Sequence, residues 1–279
     1  MKIDLAKSEE RIIEGLKDFQ RATVDRVIEL YKGGQNRVLV ADEVGLGKTL
    51  VAKGVIAKTA RLNHQNGDEL FKVVYICSNL SIANQNINKL KISDDITVDG
   101  VSDTRLSMQH LKIFEQEYDD EIKERYVQII PLTPVTSFAM TGGSGSKEER
   151  ALIYAVLRRI DIFSKYLNEL EVILIDSASV GWKWVKQEYE NRVTLCCKKT
   201  SGVYISEITK LVKSYIKDKN IFDEMLTLCS RVRENGGNKI KDTRNFIYKL
   251  RMMFAQISVE FLNPDLVIMD EFQRFKFLI

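Results

Sequence analysis

The segment Asp42-Glu43-Val44-Gly45-Leu46-Gly47-Lys48-Thr49 carries the clearest chemistry in this chain. It closes on Gly-Lys-Thr, the end of the GxxxxGK[ST] pattern, with Asp42 where the first glycine usually stands. Glycine at 45 and 47 lets the backbone curl so that successive amides face one anion. A helix opening near Lys48 adds its unpaired N–H groups and the positive end of its dipole. Lys48 can then reach the β and γ phosphates of a nucleoside triphosphate, and Thr49 can hold magnesium.

A second candidate is the run Pro-Asp-Leu-Val-Ile-Met-Asp-Glu from Pro264 to Glu271. An aliphatic strand that ends in two carboxylates supplies what a phosphate site lacks. Asp270 is expected to hold the magnesium, directly or through water. Glu271 is expected to orient or deprotonate the attacking water. Successive strand side chains project to opposite faces, so the backbone must already be turning here if both carboxylates serve one centre. Read alone, the pair is equally a solvated strand end.

The elements that must position these residues follow from periodicity. Leu5 to Leu30 has apolar residues near a 3.6 spacing and reads as one helix, stopped by Gly33-Gly34. Arg37 to Ala41 reads as a buried strand leading into the glycine loop, and Thr49 to Ala60 as the helix after it. Phe71 to Cys77, Tyr126 to Leu132 and Asp265 to Met269 read as further strands. Ile82 to Leu90, Met108 to Tyr118 and Glu148 to Leu170 read as helices. Glu171 to Ile175 fits a strand or a helix. Ser206 to Phe261 is mainly helical, with a break at Gly236-Gly237.

Alternating strands and helices predict an α/β fold with a mostly parallel central sheet. Residues 144–262 are too long and too helical for one crossover. They are expected to form a helical insertion between residues 1–143 and residues 263–279. Val38–Ala41 and Leu266–Met269 are expected to be neighbouring or near-neighbouring central strands, so that Lys48 and Asp270 meet at their carboxyl ends.

Composition narrows the class. The chain has 279 residues, 44% hydrophobic and 29% charged, enough for a substantial core. Its 42 basic and 39 acidic residues leave a net charge of +3, too balanced to imply a nucleic-acid partner by itself. Four cysteines without a CxxC pair, and two histidines distant from them, argue against zinc and suit a reducing compartment. With no secretory signal and no apolar run of membrane length, a cytoplasmic protein without a membrane span is expected.

The two motifs together resemble superfamily 2 helicases and translocases, the Snf2-like and DEAD/DEAH-related ATPases above all. Asp42, Glu43, Val44, Gly45, Leu46, Gly47, Lys48 and Thr49 are similar to the Snf2-type motif I, which also tolerates aspartate first. Asp270-Glu271-Phe272-Gln273 looks like motif II in its DExQ or DExH style. Gln273 stands where that family couples the ATP and nucleic-acid sites. Phe19-Gln20 resembles the glutamine element that reads adenine, although Gln20 also suits a polar position on an amphipathic helix. Ser78 and Asn79 match motif Ia, and Thr133 and Thr136 the next element that touches the nucleic-acid backbone. Hydroxyl and amide side chains suit phosphate contact without base reading.

The resemblance implies a RecA-like P-loop NTPase domain binding ATP and Mg2+. The implied partner is DNA, duplex favoured, or RNA. It also implies a second RecA-like domain, with its arginine fingers, that this chain is expected to lack. An alternative keeps the nucleotide site and drops the motor, as a phosphate-loop NTPase of signalling or assembly type. A third makes the helical insertion an interaction module. In that insertion Trp182 and Trp184 flank Lys183, a spacing found in core packing and in base stacking alike.

Overall fold

The computed structural model describes residues 4–41, 45–77, 80–93, 105–118, 126–132, 143–176, 180–218 and 220–270. The chain divides into two compact units. The first takes in Met1–Thr104, Asp119–Thr136 and Asn263–Ile279. The second takes in Arg105–Tyr118 and Ser137–Leu262.

In the first unit, α1 (Leu5–Glu14) starts at Asp4, whose carboxylate accepts from the Lys7 amide at 3.0 Å. Gly15 closes it. A second helix, α2 (Asp18–Lys32), then starts with the Gln20 Oε1 accepting from the Lys17 amide at 3.0 Å. The single helix expected over Leu5 to Leu30 is therefore two. The local reason is a glycine stop followed two residues later by a side-chain cap. The next helix, α3 (Lys48–Gln65), lies close against this pair. Gly54 permits the approach: a Cβ there would stand 2.8 Å from Val24 Cγ2 and 3.2 Å from Leu16 Cδ1.

The described sheet has three strands, β1 (Phe71–Cys77), β2 (Val127–Leu132) and β3 (Leu266–Asp270), in the order β2-β1-β3, all parallel. Register is set by Phe71 opposite Val127 and Val73 opposite Leu266. Asp265 anchors the start of β3 by accepting from the Lys72 amide at 2.6 Å while its own amide donates to the Lys72 carbonyl at 2.9 Å. The core of this unit gathers Val24, Ile56, Ala60, Phe71, Val73, Tyr75 and Ile129, with α4 (Leu80–Leu90) adding Ala83, Ile87 and Leu90.

Residues 37–41 depart from expectation. They form no strand, and Leu39 is 68% exposed while Val38 and Val40 pack against the core. A continuous apolar run thus serves as an alternating one, with only every second residue turned inward. Among the described residues, β3 has β1 as its hydrogen-bonded partner.

The second unit is helical. It contains α5 (Leu106–Glu117), α6 (Lys147–Leu157), a 3-10 turn (Asp161–Tyr166), α7 (Leu167–Ile175), α8 (Trp182–Lys199), α9 (Val203–Asp218), α10 (Ile221–Glu234) and α11 (Arg244–Leu262). The sequence reading left α5 with the α/β part, but Leu111 and Phe114 pack in this helical core. Glu148 to Leu170 is broken between α6 and the 3-10 turn, and Glu171 to Ile175 is helix. Arg150 caps that helix end, donating to the carbonyls of Leu174 at 2.9 Å and Ile175 at 2.8 Å.

Several polar side chains lie deep in this unit. Glu149 is buried and receives Arg105 at 3.0 Å and the Ser107 hydroxyl. Arg251 Nε sits 2.9 Å from Glu149 Oε2 in a purely ionic contact, while its Nη1 donates to the Gly143 carbonyl at 2.7 Å. His110 is fully buried, with Nδ1 3.1 Å from the Tyr204 hydroxyl. Burial holds its pKa down to about 3, so the ring is neutral. The two tryptophans separate: Trp182 is buried with its indole N–H on Glu171 at 3.1 Å, and Trp184 is 71% exposed.

Candidate functional site

The glycine loop is built from backbone geometry. Gly45 has φ +92° and Gly47 φ +79°, both in the left-handed region that glycine reaches without steric cost. Gly47 is the N-cap of α3 and, having no side chain, leaves the cap position without a side-chain hydrogen bond of its own. No acidic residue stands in its first turn. An anion arriving at Lys48 and Thr49 therefore meets the dipole and amide ends of α3 with no carboxylate of that turn competing.

Gln20 braces this loop from α2. Its Nε2 donates to the Leu46 carbonyl at 2.9 Å, and its Oε1 holds the Lys17 amide. The side chain is only 3% exposed. Contact is so close that a Cβ on Gly47 would stand 2.6 Å from Gln20 Nε2. Each end of the amide retains one further hydrogen-bonding position, a lone pair on oxygen and a hydrogen on nitrogen.

Asp270 ends β3 beside Cys77, the last residue of β1. Carboxyl ends of parallel strands are where ligands of α/β sheets bind. Its Oδ2 accepts from the Tyr75 hydroxyl at 2.6 Å and lies 3.3 Å from Asn86 Nδ2. Asn86 Nδ2 is also 3.2 Å from the Tyr75 oxygen. Burial, with the Asp270 hydrogen bond second, pushes the Tyr75 phenol well above its ordinary range, so it remains a donor.

Of the residues singled out by sequence, the structure thus joins Gln20 to the loop of Gly45, Leu46 and Gly47. It places Lys48 and Thr49 at the start of α3, and Asp270 at the end of β3. Asp42, Glu43, Val44, Ser78, Asn79, Thr133, Thr136, Glu271 and Gln273 lie outside the described residues. Arg231 and Arg233, arginines of the helical unit, are engaged within it. Arg231 donates to the Lys241 carbonyl and Arg233 to Glu169. Tyr75 and Asn86 escaped the sequence reading. A hydroxyl-bearing ring in the otherwise aliphatic stretch Val73 to Cys77 was the one available signal.

The fold is mostly helical α/β with a small parallel sheet. Residues 14–130 match the family described as "Type III restriction enzyme, res subunit", a RecA-like domain of the superfamily 2 helicase type. The matched stretch takes in Gln20, the glycine loop, β1 and Asn86, and stops before Asp270. No curated protein and no solved structure matches the chain. Among the described residues no helix is long and apolar enough to cross a membrane.

Proposed function

We propose that this chain is the ATP-binding part of a nucleic-acid motor ATPase of the helicase or translocase type. The observation that carries the reading is the glycine-capped start of α3 behind two left-handed glycines, braced by Gln20, inside a stretch similar to a helicase-type family. The residues from Asp42 to Gly47 are assigned to phosphate binding. Lys48 meets the β and γ phosphates. Thr49 and Asp270 would hold Mg2+, a set of oxygen donors suited to that hard cation. Bound there, the cation would supply positive charge against the charge that develops on the transferred phosphoryl group. Glu271 places the attacking water. Gln20 offers its remaining donor and acceptor to the adenine edge while holding the loop.

Ser78, Asn79, Thr133 and Thr136 contact the nucleic-acid backbone, and Gln273 couples that contact to the ATP site. The form of the motif from Asp42 to Thr49 supports a Snf2-like kinship, and with it duplex DNA over RNA and translocation over strand separation. A second RecA-like domain supplies arginines to the transition state, a contribution of about 10³ to 10⁵ in rate where such fingers are known.

The test has two parts. Calorimetric titration should show ATP-Mg2+ binding to the wild type and at least about tenfold weaker binding to K48A, since charge-assisted hydrogen bonds contribute about 1.5–3 kcal/mol. Equal affinities sink the site. ATP turnover should then be measured with and without duplex DNA and RNA, with the chain alone and joined to a second RecA-like domain. Slow turnover alone, and nucleic-acid stimulation of the joined form, is expected. Turnover of the joined form that ignores every nucleic acid favours the signalling or assembly NTPase.

A further inference from the structure

The Asp270 carboxylate is held from one side. Tyr75 faces Ile268 across the β1–β3 ladder, so Asp270, two residues further, falls on the same face of the sheet. A tyrosine side chain is long enough to span that diagonal, and its hydroxyl arrives 2.6 Å from Oδ2. From α4, Asn86 approaches the same Oδ2 and the Tyr75 oxygen together, at 3.3 and 3.2 Å. Tyr75 itself is only 1% exposed, with its ring locked in the core of the unit. Both contacts fall on one carboxylate oxygen. They fix the rotation of the group and leave Oδ1 as the oxygen without a hydrogen-bond donor among the described residues.

We infer that Tyr75 and Asn86 are positioning residues that orient the Asp270 carboxylate so that Oδ1 faces a divalent cation. The inference rests on the proposed role of Asp270 in holding Mg2+. Partners behind a ligating carboxylate set its direction and its basicity, and their loss typically costs about 10–100-fold in metal affinity. A purely structural bridge between β1, β3 and α4 would instead show itself in stability and leave the cation dependence alone.

The experiment uses the full chain and a fluorescent ATP analogue, with Mg2+ as the titrant. The concentration of Mg2+ that gives half of the cation-dependent signal is read for wild type, Y75F, N86L and D270N. Analogue affinity in EDTA and the thermal midpoint are read beside it. Y75F keeps the buried ring and removes only the donor. It should raise the Mg2+ midpoint about 10–100-fold, with N86L shifting it in the same direction by less, while affinity in EDTA stays within about twofold of wild type. D270N separates the two levels of the argument. If D270N leaves the Mg2+ midpoint at the wild-type value, the role of Asp270 falls. If D270N moves the midpoint but Y75F and N86L do not, Asp270 stands and the positioning inference is overturned. If Y75F does not fold, N86L alone decides, since Asn86 lies at the half-buried edge of the arrangement.

Discussion

Replacing Gly47 by alanine tests the brace between α2 and the glycine loop. Two separate costs are visible. The backbone at 47 has φ +79°, and a left-handed alanine costs about 1–2 kcal/mol more than glycine. The added Cβ would also stand 2.6 Å from Gln20 Nε2. Either the loop or Gln20 must then move, and the bond to the Leu46 carbonyl is lost. Leaving such buried groups unpaired costs about a further 1–3 kcal/mol. The sum is about 2–5 kcal/mol, divided between unfolding stability and nucleotide affinity. Gly45 is the internal control, because its φ of +92° carries strain but no atom of the described residues lies within 4 Å of a Cβ there. G45A should show the backbone cost alone. G47A should exceed it by at least about 1 kcal/mol, roughly fivefold in affinity if expressed there. Combining G47A with Q20A opens the crowded space, so the extra increment should shrink toward that of G45A. Urea unfolding and calorimetric titration with ATP-Mg2+ read the two parts. Equal losses for G45A and G47A, or an increment untouched by Q20A, would refute the brace.

Other expected outcomes follow from the same physics. E149Q leaves the buried Arg251 cation without its counter-charge and should destabilise the helical unit by about 3–5 kcal/mol in urea unfolding; a loss under about 1 kcal/mol would contradict the buried pair. With a folded pKa near 3, His110 stays neutral as pH falls, while the unfolded chain takes up a proton below its ordinary value of about 6.5. Stability should therefore be full above that value and decline by up to about 1.4 kcal/mol per pH unit as pH falls from about 6 toward 3. The chain has only two histidines, so imidazole resonances can follow this directly, and a His110 midpoint above 5 in the folded protein would exclude the buried neutral ring. G54A drives a methyl group into Val24 and Leu16 and should lower stability by about 1–3 kcal/mol, whereas an unchanged thermal midpoint would mean that α3 and α2 are not in the close contact described. Q20A should erase preference for ATP over GTP in competition binding; a wild type indifferent to the base removes Gln20 from adenine reading.

What the sequence determined alone is local. The glycines at 45 and 47 and the helix that opens at Lys48 were legible because left-handed φ angles and helix starts depend on a few adjacent residues. The strands Phe71–Cys77 and Leu266–Asp270 were legible because short apolar runs between breakers have few other uses. Parallel pairing was legible from the alternation of strands and helices. Tertiary structure decided the rest. Residues 37–41 look like a buried strand, but pairing is supplied by other parts of the chain, and here Leu39 turns to solvent. Tyr75 meets Asp270 across 195 positions, and Gln20 meets Leu46 across 26. Such contacts depend on strand register and on how closely helices approach. Those are set by the packing of side chains distant in sequence, and no window of neighbouring residues contains them.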